Sequence, residues 1–150
     1  MIGTSFLRRS RGPSGQELFE FAEALCNLTA AFIVIKILPF RAVIRTMNYR
    51  RANQKLAPTE ASAVGIEVRR AIKRAARRLP WKIVCFPAGL AAHWMLRRRG
   101  APSQVHYGVR TTQAGLTAHV WVTLAGETIV GEERDDPHTC VAVFPQASST

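Results

Sequence analysis

The hydrophobic period of the chain changes once, close to Gly100, and this change limits the fold more than any other feature. Upstream, apolar residues recur every three or four positions, as in Leu18, Phe21, Ala22, Leu25, Leu28 and Phe32. That spacing is the mark of a helix with one buried side. Downstream, Val105, Tyr107 and Val109 alternate with His106 and Gly108, and residues 117–124 and 128–130 are rich in β-branched side chains. This is the period of strands. Helices followed by strands, without interleaving, predict an α+β chain whose small sheet is antiparallel.

Local signals place the elements. Ser14 and Glu17 have capping-box spacing, so a helix is expected over about 15–37, ended by Pro39. A basic helix follows over 41–53, with Val43, Ile44 and Met47 on one side. Ala57-Pro58-Thr59 is a break, with Thr59 as the cap of a helix over about 60–78 whose apolar stripe is Val64, Val68, Ile72 and Ala75 or Ala76. Leu79-Pro80-Trp81 is a second break. A fourth helix is expected over 86–98, with Pro87 in its first turn and Gly100 as its stop. Ala125-Gly126 reads as a hairpin turn, and 141–144 as a last strand. The expected organisation is a basic helical part, 1–79, and a second part, 80–150, holding the last helix and the sheet, packed as one unit.

Charge follows the same division. Residues 1–100 hold 19 of the 21 basic residues against five acids, whereas 101–150 hold two basic residues against five acids. The resulting net charge of +11 attracts something acidic: nucleic acid, a membrane surface or an acidic protein. Arg69, Arg70, Lys73, Arg74, Arg77 and Arg78 line one side of the third helix, which reads first as a solvated face. A non-enzymatic basic adaptor is therefore one function class to weigh. The apolar stretch Leu28–Phe40 contains Lys36 and is 13 residues long, short of the roughly 20 that cross a bilayer. A buried or interfacial helix is expected rather than a span. No apolar run follows Arg8, Arg9 and Arg11, so no secretory signal is read and a cytoplasmic setting with reduced thiols is expected. Three scattered cysteines make no disulfide framework. No CxxC, HExxH, GxGxxG or P-loop motif occurs, so metal and nucleotide cofactors are not expected.

Three cysteines and four histidines need sorting. Cys26 and Cys140 have apolar neighbours and read as small core residues. Cys85 differs, because it stands where a loop meets a helix start. Unpaired amides and the positive dipole end there favour a thiolate and can donate to an oxyanion. His119 lies in the strand Ala118-His119-Val120-Trp121-Val122, on one face with Trp121 and Thr123 by alternation. The hairpin at Ala125-Gly126 folds Glu132 back toward it. A cysteine on a helix, a histidine 34 positions later on a strand and a carboxylate 13 beyond that follow papain-like and transglutaminase-like logic.

Residues Trp81 to Gly100, around Val84-Cys85-Phe86-Pro87, together with 105–109 and Ala118-His119-Val120-Trp121-Val122 with Gly126 four positions on, resemble the lasso peptide biosynthesis B proteins. The stretch Ile37-Leu38-Pro39-Phe40-Arg41 is similar too. Those proteins are leader peptidases of transglutaminase-like fold. The resemblance implies Cys85 as nucleophile, His119 as general base and an acid a dozen or so residues later. Glu132 is taken for that role, with Glu133 and Asp135 as alternatives. Position 123 carries Thr where such proteins often carry Glu. No strand-rich recognition module precedes residue 80, so the resemblance is to the stand-alone peptidase of a split system. It implies a precursor peptide, a separate leader-recognition protein and an ATP-dependent macrolactam cyclase as partners, no nucleic acid and no cofactor. A transglutaminase-like acyltransferase is the neighbouring alternative. Trp81 reads as a core or groove aromatic, His106 as a polar surface residue, and His93 lies too far along the helix from Cys85 to serve as its base.

Overall fold

A computed structural model describes residues 14–48, 56–131 and 138–145. Four helices precede a four-stranded sheet: α1 Gly15–Ile37, α2 Phe40–Asn48, α3 Pro58–Ala76, α4 Cys85–Arg98, β1 Gln104–Thr112, β2 Gly115–Leu124, β3 Glu127–Val130 and β4 Thr139–Phe144. The strands lie in the order β3-β2-β1-β4, and each paired neighbour is antiparallel. The chain is thus α+β, as the change of period predicts.

The caps explain where the helices begin and end. Ser14 Oγ accepts from the Glu17 amide at 3.3 Å, and the Glu17 carboxylate accepts from the Ser14 amide at 3.2 Å, closing the expected capping box. α3 begins differently from expectation. Ala57, not Thr59, is its N-cap, and Glu60 accepts from the Ala57 amide at 3.1 Å. At the far end of α4, Gly100 takes a φ of +76°. Its amide donates to Arg97 O, and that of Ala101 to Leu96 O, both at 3.0 Å. This pair of bonds is the Schellman closure that glycine permits. Ala125 and Gly126 both have positive φ, 51° and 85°, the type I′ geometry that matches strand twist.

α4 is the centre of the core. Leu90, Ala91, Ala92, Met95 and Leu96 are fully buried, because α1, α2 and α3 pack around it on one side and β2 and its neighbours on the other. A helix enclosed on all sides needs apolar residues all round. From α3, Val68, Ile72 and Ala75 join this core, and α2 adds Val43 and Met47. Arg98 and Arg99, at the end of α4, reach back to α1. Arg99 binds the Glu23 carboxylate, and Arg98 donates to Asn27 Oδ1 at 3.1 Å. Arg69 of α3 donates to the carbonyls of Thr128 and Ile129. It therefore leaves the solvated face on which the sequence places it.

His93 is fully buried in α4. Its Nε2 lies 3.0 Å from Met47 O and its Nδ1 2.9 Å from Ser103 Oγ. A carbonyl only accepts, so Nε2 carries the proton and Nδ1 accepts from the serine hydroxyl. The neutral ring thereby fastens α2 and the start of the sheet to α4. Burial pushes its pKa down to about 4, and Arg97 adds to the effect against the opposing Met47 bond. The unfolded chain takes up this proton near the ordinary pH of 6.5, while the folded chain refuses it until about 4. Stability from this group is therefore complete above pH 6.5 and is lost as pH falls toward 4, by roughly 3 kcal/mol. Urea unfolding across that range is expected to show this loss, and His93→Gln is expected to flatten it while lowering stability at neutral pH.

Candidate active site

The nucleophile position is built by the start of α4. Val84 is the N-cap and supplies no side-chain hydrogen bond, while the Ala88 amide bonds back to Val84 O at 3.3 Å. Pro87 has no N–H, so the open donors of this turn are the amides of Cys85 and Phe86. Cys85 is half-buried and free, lying against the core beside exposed Val84. Phe86 faces a small apolar pocket shared with Phe40, Tyr107, Val120 and Phe144. The rings of Phe40 and Phe86, and of Phe40 and Tyr107, have centroids 6.2 Å apart. Trp81 stacks on Phe32 of α1 at 5.5 Å, as a packing aromatic. Its buried Nε1 finds no acceptor among the described residues.

β2 supplies the histidine. Val120, Val122 and Leu124 are buried and look toward the helices. A Cβ added at Gly89, one turn into α4, would stand 2.8 Å from Val120 Cγ1. This contact seats the first turns of α4 against the segment of β2 that carries His119. His119 itself shares the outer face with Trp121 and Thr123, as alternation predicts. Its ring lies 6.1 Å from that of Trp121 and 5.3 Å from that of His138. His119 Nε2 lies 2.9 Å from Gly131 O. The carbonyl accepts, which fixes the proton on Nε2 and leaves Nδ1 as the basic nitrogen. Among the described residues no hydrogen bond joins Cys85 to His119. The imidazole projects from the face of β2 turned away from α4, and the sulfur lies at the tip of that helix.

Glu132, Glu133 and Asp135 fall in 132–137, outside the described residues. The last described residue before them, Gly131, is the one that holds His119. Its φ is +86°, and an added Cβ would stand 2.5 Å from Val120 O and 2.8 Å from Trp121 Cα. Neither backbone atom can yield, so only glycine fits here. Sequence reasoning missed this contact; the signal was a glycine one position after a short strand.

The outer face also corrects two expectations. Cys140 is exposed rather than buried, because its β4 position pairs with Gly108 and points away from the helices. Its Sγ lies 3.8 Å from His106 Nδ1. His106 is half-buried, stacks on Trp121 at 5.2 Å and bonds Thr123 Oγ1 at 2.8 Å. Thr123 therefore holds an imidazole. Burial lowers the His106 pKa. Cys26 is likewise exposed, on the side of α1 opposite its packed row.

The Gly131 contact makes a testable prediction. Gly131→Ala is expected to destabilise the fold by about 2 kcal/mol or more through strain and overpacking. The ¹⁵N shifts of the His119 ring, read by NMR, are expected to lose the pattern of a proton fixed on Nε2.

Comparison with known proteins agrees with this architecture. The model of one family, described as Transglutaminase-like superfamily (Transglut_core3), matches residues 28–143. No curated protein and no solved structure matches the chain. The match begins inside α1, takes in Cys85 and His119, and ends within β4, and enzymes of this superfamily are generally of the cysteine-protease type. By sequence and by the order of its elements, the chain belongs to the transglutaminase-like superfamily.

Proposed function

We propose that this protein is a cysteine peptidase that removes the leader from a lasso peptide precursor, acting as the stand-alone peptidase of a split system. The observation that carries the reading is a pair. A half-buried cysteine opens an uncapped helix that packs on β2, and the histidine of β2 has its proton fixed on Nε2 by Gly131 O. Cys85 supplies the nucleophile and His119 Nδ1 the base. Glu132, next in sequence after Gly131, is the acid assigned to orient the imidazole. In the free protein the imidazole lies on the outer face of β2 and Cys85 at the tip of α4, so the reading requires Sγ and Nδ1 to be brought together when substrate binds.

In the first step His119 takes the thiol proton and Cys85 attacks the scissile carbonyl, with the first-turn amides of α4 donating to the oxyanion. The proton then passes to the departing amine of the core peptide, leaving the leader as a thioester. Water hydrolyses the thioester and restores the thiol. The recognition protein presents the leader, and the cyclase joins the new amine to an acidic side chain of the core.

Incubation of the protein with precursor and leader-binding protein, followed by mass spectrometry, tests the reading. Cys85→Ala and His119→Ala are each expected to lower cleavage by about a thousandfold or more with unchanged circular dichroism. Glu132→Gln is expected to impair cleavage more than Glu133→Gln. Cleavage by Cys85→Ala at the wild-type rate overturns the proposal.

A further inference from the structure

We propose that the outward side of α1 docks peripherally on an anionic lipid bilayer. α1 has 23 residues, about 34 Å of helix. Its packed side carries Ala24, Asn27, Leu28 and Ala31, all buried. On the opposite side Phe19, Ala22, Cys26, Ala30, Ile33 and Ile37 recur at three and four, and every one is exposed. Phe19 and Ile37 retain 68% and 73% of their surface. Leu38 and Phe40, also exposed, continue the strip past the helix end. α1 is therefore apolar on two sides, and α3 and α4 cover one of them. A contiguous exposed strip of this kind marks an interaction site.

The charges around the strip select the occupant. Glu23, the acid closest to the strip around the helix, is turned to Arg98 and Arg99, with its side chain only 8% exposed. Exposed Lys36 stands at the C-terminal end, exposed Arg41 and Arg45 follow on α2, and Arg8, Arg9 and Arg11 precede the helix in sequence. An apolar row with exposed cations at its C-terminal end, on a chain of net charge +11, has the arrangement of an interfacial helix on anionic headgroups. α1 is also long and apolar enough to cross a membrane. Crossing would pull its packed row off α3 and α4 and strip Glu23 of its arginines, so the bound helix lies along the surface.

Flotation of the full chain with lipid vesicles tests the proposal independently of any reading of Cys85. Vesicles of phosphatidylcholine mixed with phosphatidylglycerol are expected to carry the protein up at low salt. Pure phosphatidylcholine is expected to bind about tenfold less, and high salt to release the protein. Ile33→Asp combined with Ile37→Asp is expected to abolish flotation with unchanged melting. Reversing Lys36, Arg41 and Arg45 to Glu, which leaves the apolar row intact, is expected to weaken it about tenfold. Four results overturn the proposal: no flotation on either vesicle, equal flotation on both, binding indifferent to the charge reversal, or release by detergent alone, which means a span. A dimer seen by light scattering and split by the two aspartates also overturns it, because the strip then belongs to a second copy.

Discussion

The enclosure of α4 governs the rest of the structure. A helix with neighbours on every side can tolerate little change of volume, and its close approach to β2 at Gly89 leaves no room for a side chain there. The helix is fixed at its C-terminal end by the Gly100 closure and by the pairing of Arg99 with Glu23. Its N-terminal end is left uncapped. A rigid body with one unsatisfied tip presents Cys85 and two open amides at a constant position relative to the sheet. Precision of that kind favours chemistry at a helix end over chemistry on a loop.

Among the described residues, the buried polar side chains Asn27, His93 and Ser103 are each hydrogen-bonded. His93 links three segments through two hydrogen bonds while remaining neutral. Glu23, Asn27, Arg98 and Arg99 form one network between α1 and α4. Among the described residues, Arg69, Arg98 and Arg99 have partners within the fold, whereas Arg41 and Arg45 of α2 and Arg70, Lys73 and Arg74 of α3 are exposed. The basic composition is therefore partly internal structure and partly outward signal.

Much of this was legible in the sequence. α1 was predictable because Ser14 and Glu17 announce its start and Pro39 its end. The last helix was predictable because Gly100 permits a left-handed residue. Alternation also placed His119 with Trp121 and Thr123, and the buried valines beside it show which face belongs to the core. Other features were hidden for physical reasons. Apolar neighbours in sequence suggested buried thiols at Cys26 and Cys140, but burial follows the face, and both lie on the outward one. Arg69 looked solvated because its partners are backbone carbonyls sixty residues away, which no local pattern records. Thr59 resembled a cap, yet the chain enters the helix two residues earlier at Ala57. The holding of His119 by Gly131 depends on a tertiary approach that spacing does not encode.

The grip of Arg69 on β3 bears on the company this sheet can keep. β3 is the outermost strand on its side, four residues long, and an outermost strand with idle carbonyls is a template on which foreign chains align. Two successive carbonyls at this rim are already occupied by a guanidinium from α3. A stray peptide would first have to dislodge that cation. The same contact that secures a short strand therefore also discourages polymerisation along this border.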